Sequence, residues 1–208
     1  MAPHAFGEDR EIVPTFGAIE LHVARQTAEA LAAGGIRYIE VLLRHPDAWR
    51  VLEAVGQIPG ISVGAGTVLD GQTARRARDA GAAFLVSPGF DAELAREISQ
   101  LGIPYVPGVA TASDLMLASK AGYREVKFFP AEQLGGPRAL AALAAAFPST
   151  RFMPTGGVNA DRLGDYALLE QVFAVGGSWL TDAGTPALDA VTTRAQRALS
   201  ILQGRQRS

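Results

Sequence analysis

The sequence predicts an α/β protein of alternating strands and helices, closed into a (β/α)8 barrel of the TIM type as a single domain over residues 1–208. Three observations carry that expectation. Short apolar runs alternate with alanine-rich stretches from Ile12 to Leu202, the pattern of buried parallel strands crossed over by helices. An Ala-Gly pair closes a helix at Ala33-Gly34, Ala80-Gly81 and Ala121-Gly122, and a strand soon follows each; glycine in the left-handed conformation is expected to stop these helices. Eight strand-helix units fill 208 residues, near the lower size limit for the fold. A doubly wound open sheet is the alternative, since periodicity does not report closure. Against it, the first strand-helix turn has no dinucleotide fingerprint.

Taken in order, Met1 to Glu11 mixes proline, glycine and charge without a period and reads as an irregular segment with no assigned role. Ile12 to Ile19, IVPTFGAI, is the first strand despite its proline and glycine. Val23 to Ala33 is a helix and Ile36 to Leu43 the second strand, followed by a helix from Asp47, a plausible N-cap, to Ile58. Strand Ile61 to Thr67 leads to helix Gly71 to Ala80, strand Ala83 to Ser87 to helix Asp91 to Leu101, and strand Pro104 to Val109 to helix Ser113 to Ala121. The sixth strand lies in EVKFFPAE, Glu125 to Glu132. Helix Pro137 to Phe147 has proline in its first turn. Strand Arg151 to Thr155, helix Asp161 to Glu170, strand Val172 to Ser178 and helix Ala187 to Leu202 complete the count.

Composition narrows the partners. A net charge of −2 with no lysine or arginine run argues against nucleic acid or an anionic membrane. Cysteine is absent and His4, His22 and His45 are scattered, so no disulfide, metal or other cofactor is expected. No opening stretch joins basic residues to an apolar core, and no apolar run reaches membrane length; a cytoplasmic protein acting on a small molecule is the expectation.

One lysine stands out. Lys127 sits between Val126 and Phe128-Phe129-Pro130, in a strand that reads as covered on both faces. Desolvation disfavours an ammonium, and a buried amine becomes a nucleophile able to form a Schiff base with a ketone or aldehyde. A packed stem with a solvated head is the bland reading. In a TIM barrel the chemistry gathers at the C-terminal ends of strands. There strand two offers Glu40 inside an apolar run, with Arg44 four residues on, and strand three offers Thr67. Glu40 suits either a structural ion pair or proton transfer beside an imine. Arg44, with the Thr67 hydroxyl, suits a bidentate grip on a carboxylate. Thr155-Gly156-Gly157 and Gly176-Gly177-Ser178 end strands seven and eight, where such barrels often place a phosphate. Glu132 reads as a loop or helix-start carboxylate, with a place at the rim of the site as the alternative, and Trp49 and Trp179 as packing residues.

In combination, Glu40-Val-Leu-Leu-Arg44, Gly64-Ala-Gly-Thr67, Ser87-Pro-Gly89, Lys127-Phe-Phe-Pro-Ala-Glu132, Pro154-Thr-Gly-Gly157 and Gly176-Gly-Ser-Trp179 resemble the KDPG/KHG aldolase family. The likeness runs in order from about Ile12 to Leu202. It implies a metal-free class I aldolase that cleaves 2-keto-3-deoxy-6-phosphogluconate (KDPG) to pyruvate and glyceraldehyde 3-phosphate, often also 4-hydroxy-2-oxoglutarate to pyruvate and glyoxylate, and commonly works as a homotrimer. By the same resemblance Lys127 forms the imine and Glu40 is the general acid/base. Arg44 and Thr67 hold the carboxylate, Pro88 and Phe129 line the pocket, and Thr155 meets the substrate hydroxyls. Gly156, Gly157, Gly176, Gly177 and Ser178 receive the phosphate. Leu42 departs from the pattern, since family members commonly have threonine there, and Met1 to Glu11 is shorter than their helical N-terminal segment. The alternatives are the phosphogalactonate-specific aldolase of the same family and a catalytically degraded barrel that binds a phosphometabolite. A non-covalent phosphosugar isomerase would leave the buried lysine without a task.

Overall fold

The computed structural model describes residues 4–7, 9–181 and 187–204; residues 1–3 and 8 of the irregular segment lie outside them. Strands and helices alternate as β1 (Glu11–Phe16), α1 (Leu21–Ala33), β2 (Tyr38–Leu42), α2 (Ala48–Gly56), β3 (Ser62–Gly66), α3 (Gly71–Asp79), β4 (Phe84–Val86) and α4 (Ala92–Ser99). They continue as β5 (Tyr105–Val106), β6 (Gly108–Val109), α5 (Ala112–Lys120), β7 (Glu125–Phe128), α6 (Gly136–Ala146), β8 (Arg151–Pro154), α7 (Ala160–Ala167), β9 (Ala174–Gly177) and α8 (Leu188–Gly204). Among the described residues the strands pair in parallel throughout. They form one sheet in the order β5-β4-β3-β2-β1-β9 and a second in the order β6-β7-β8. Single parallel bridges, Phe152 to Val172 and Thr155 to Gly176, join the edge of the second sheet to the segment of β9.

The expected fifth strand is divided in two. Pro107 has no N–H to give a ladder, so Tyr105 and Val106 pair with β4 while Gly108 and Val109 pair with β7. The proline carbonyl still takes part, accepting from Lys127 N at 2.8 Å. The first strand stops at Phe16 instead of Ile19, which frees Gly17 to Glu20 as a loop. Asp47 stands at the N-cap of α2 as expected, but its side chain makes no capping bond. Among the glycine stops, Gly81 and Gly122 are left-handed, whereas in the first repeat that residue is Gly35, with φ 92°. Gly34 has φ −79° and serves another purpose: a Cβ there would lie 2.6 Å from the Cβ of Ala195, so α1 and α8 meet backbone to side chain.

The strand period of two separates two cores. Ile12 and Phe16 of β1, and Val126 and Phe128 of β7, belong to the larger cluster beneath the helices. Val13, Phe84, Val86, Val106, Met153, Phe173 and Ala174 form a second cluster on the opposite strand faces. Into this second cluster goes Phe6, from a segment expected to be irregular and without a role. Its ring lies 4.6 Å from that of Tyr38, 5.0 Å from Phe84 and 5.6 Å from Phe173. The segment is tied by Ala5 N donating to Glu125 Oε2 (3.3 Å) and Gly7 N to the Tyr38 hydroxyl (3.2 Å), while Arg151 pairs with Glu125 at 2.9 Å. Residues 4–7 therefore stopper the N-terminal ends of the strands. Among the described residues no helix is long and apolar enough to cross a membrane.

Phe6→Ala removes most of a buried aromatic side chain and is expected to cost about 3 kcal/mol, read as a lower urea midpoint with an unchanged far-UV spectrum.

Candidate active site

Lys127 and Glu40 meet. Alternation in β7 turns Lys127 and Glu125 away from the helix layer that receives Val126 and Phe128, and Glu40 takes the equivalent face of β2. The ammonium Nζ lies 2.9 Å from Glu40 Oε1 and 3.2 Å from Oε2 across a sequence separation of 87 residues. Glu40 is fully buried and Lys127 only 4% exposed, so each charge depends on the other. Removing one partner of such a pair strands the other at a cost of about 3–5 kcal/mol. The amine also lies 5.3 Å from the centroid of the Phe129 ring, close enough for a cation–π contribution. Gly66 makes the room: a Cβ there would overlap the Glu40 carboxylate.

The other groups collect around this pair to different degrees. Strand alternation does not reach Arg44, because β2 ends at Leu42; the side chain is placed by the turn, and its Nε donates to Thr67 Oγ1 at 3.1 Å. Thr67 has φ 63°, an uncommon state for a β-branched residue that the surrounding turn must impose. A cavity of about 1010 Å³ is walled by Leu42, Arg44, Lys127, Phe129 and Thr155, and by Gly156, Gly157, Gly177 and Ser178. Glu40 reaches it through Lys127, and Thr67 through Arg44. Gly176 stands behind Thr155, whose hydroxyl a Cβ would strike. Pro88 lies outside this wall. Its turn is fastened down by Ser87, which donates to Gly89 O (2.6 Å) and accepts from the Tyr105 hydroxyl (2.6 Å) and, more weakly, Gly108 N (3.4 Å). Burial pushes the Tyr105 hydroxyl well above its ordinary range, which keeps it protonated as the donor of that chain.

Sequence reasoning missed part of the wall. Trp179, read as a packing residue, lines the cavity, with its ring laid over Gly177 where a side chain would collide with it. Its place directly after Gly176-Gly177-Ser178 was the available signal. Thr15 to Glu20 and His22 extend the cavity outward, because the first strand ends early. Among the described residues no three His, Cys, Asp or Glu side chains gather closely enough to hold a metal ion. The arrangement couples a buried amine to a buried carboxylate beside an open cavity. A guanidinium stands at one side of that cavity, and glycine turns rich in backbone N–H stand at another.

Residues 7–194 match the family model described as KDPG and KHG aldolase. The KHG/KDPG aldolase of Escherichia coli is 43% identical over 173 residues, 83% of this chain and 81% of that protein. Among solved structures, the 2-keto-3-deoxy-6-phosphogluconate aldolase of Zymomonas mobilis with 3-phosphoglycerate superposes with a TM-score of 0.90 at 38% identity, covering 93% of each chain. The KDPG aldolase of Legionella pneumophila, with pyruvate captured at low pH as a covalent carbinolamine intermediate, superposes with a TM-score of 0.79 at 36% identity over 95% of this chain and 94% of that one.

Gly66→Ala is expected to drive the Glu40 carboxylate off the amine and to destabilise the chain by about 1–3 kcal/mol, seen in urea unfolding. Gly89→Ala is the control, since it is exposed, no atom lies near its added methyl and its φ is not left-handed; a change of no more than about 0.5 kcal/mol is expected there.

Proposed function

Because the chain belongs to the KDPG and KHG aldolase family, we propose that it is a class I aldolase cleaving 2-keto-3-deoxy-6-phosphogluconate to pyruvate and glyceraldehyde 3-phosphate, and 4-hydroxy-2-oxoglutarate to pyruvate and glyoxylate. The observation that carries the reading is the Lys127–Glu40 pair at the cavity, with Nζ 2.9 Å from the carboxylate. For Lys127 to attack, its ammonium gives a proton to Glu40, directly or through one water. The free amine adds to the substrate C2 ketone to give a carbinolamine; Glu40 returns its proton to the departing hydroxyl, which leaves as water, so that the iminium forms beside a carboxylate again. Glu40 then takes the C4 hydroxyl proton. The C3–C4 bond breaks, the aldehyde leaves, and the bonding electrons pass to the iminium as an enamine. Protonation at C3 and addition of water release pyruvate and the amine.

The remaining assignments follow the chemistry of the groups. Arg44, oriented by its bond to Thr67, grips the ketoacid carboxylate. Phe129 covers the imine, Thr155 bonds the substrate hydroxyls, and Pro88 supports the wall from its turn. Gly156, Gly157, Gly176, Gly177 and Ser178 form the phosphate end of the site. We also propose that the strands close into a (β/α)8 barrel. The bridges from Phe152 to Val172 and from Thr155 to Gly176 support closure on one side, and the Pro107 continuity of β5 and β6 supports it on the other.

The chain has two lysines, Lys120 and Lys127, which makes chemical trapping decisive. Borohydride reduction in the presence of pyruvate is expected to add a pyruvate-derived mass at Lys127, located by peptide mass spectrometry; no adduct, or one on exposed Lys120, rejects the mechanism. Lys127→Met is expected to abolish turnover. Glu40→Gln should lower kcat by about a hundredfold or more with a small change in KM.

A further inference from the structure

The β7–α6 loop contains a carboxylate that this mechanism leaves unused. Glu132 Oε1 accepts from the Tyr166 hydroxyl at 2.6 Å and Oε2 from Arg162 Nε at 3.3 Å; both donors belong to α7. Tyr166 is fully buried. Burial, reinforced by its bond to Glu132, pushes its hydroxyl far above the ordinary range, so it stays a donor. Two backbone bonds run beside this cluster, Ala131 N to Thr155 O at 2.8 Å and Glu132 N to Gly156 O at 3.0 Å. In a trans peptide the N–H points opposite to the carbonyl it follows. With both carbonyls drawn toward the β7–α6 loop, the N–H groups of Gly156 and Gly157 are turned to the other side of the turn, and both glycines line the cavity. The Glu132 stem fills the space beneath the turn, since a Cβ on Gly157 would stand 2.8 Å from its Cβ.

We propose that Glu132 is a positioning residue for the phosphate end of the substrate, bolting α7 to the β7–α6 loop so that the Gly156 and Gly157 N–H groups are presented to the anion before it arrives. A space-filling residue would be apolar here, because a carboxylate below an anion site repels the ligand. Glu132 is tolerated because Arg162, which also pairs with Asp165 at 3.2 Å, offsets part of its charge, and its two oxygens allow it to take both donors from α7. The proposal rests on the aldolase reading for the identity of the anion. Pre-aimed donors lower the ordering cost of binding, so losing them should weaken phosphate recognition and leave bond cleavage at Lys127 alone.

The test compares Glu132→Ala, Tyr166→Phe and Glu132→Gln with the parent chain. Glu132→Ala is expected to raise KM for 2-keto-3-deoxy-6-phosphogluconate about tenfold relative to KM for 4-hydroxy-2-oxoglutarate, with kcat on each changed less than about twofold. Tyr166→Phe should fall between, and Glu132→Gln, which still accepts from Tyr166, should recover most of the loss. Equal changes on both substrates, or no change, overturn the proposal. Calorimetric titration with inorganic phosphate gives a reading independent of turnover. If the parent chain fails to trap pyruvate yet its phosphate affinity drops in Glu132→Ala, the aldolase reading falls and the positioning role stands. If pyruvate is trapped and phosphate affinity is the same in both chains, the positioning role falls.

Discussion

A single buried ion pair sets the terms for the rest of the molecule. An ammonium and a carboxylate shut away from water are each costly alone, and together they break even only with short contacts and full satisfaction of their remaining bonds. Lys127 and Glu40 meet the first of those terms through Nζ contacts of 2.9 and 3.2 Å. The surroundings are shaped to permit it: glycine at position 66 leaves space for the acid, and the Phe129 ring stands near the amine. A pair that only stabilised the fold could be replaced by well-packed apolar side chains. Its place beside an open cavity is what the proposed chemistry requires, a proton donor and a proton acceptor at contact distance.

The two strands bearing this pair are not neighbours in either sheet. Nothing local in the chain brings residues 40 and 127 together; the parallel order of the strands and the alternation of their faces do so. The glycine turns at the ends of β8 and β9 are set in the same manner, with Thr155 bridging to Gly176. The site is therefore a property of the whole arrangement. Its stiffness comes from backbone ladders and from bonds between successive loops such as those of Ala131 and Glu132.

Much of this was readable beforehand, for physical reasons. Lys127 announced itself because a charge in an apolar strand has few explanations, and Glu40 gained meaning only once a partner was in view. The alternation of strands and helices was plain because apolar periodicity is dictated by burial. What escaped was anything depending on contact between distant segments. Phe6 lies in an aperiodic stretch with no local sign of its stacking on Tyr38, Phe84 and Phe173. Gly66 is one member of the Gly64-Ala-Gly-Thr67 run in the sequence, and only the fold sets the Glu40 carboxylate against it. Pro107 was visible, but its effect, dividing one strand between two partners, follows from which neighbours claim the N–H groups on either side.

The stopper at the N-terminal ends of the strands bears on how the chain is assembled. Phe6 stacks on Tyr38 and Phe84, and also on Phe173, which stands directly before the last described strand. Its seat is incomplete until that distant ring is in place, and the loop closed between them is long. The plug can therefore be seated only after the stretch leading into β9 has joined the sheet, which makes it a late contact of folding.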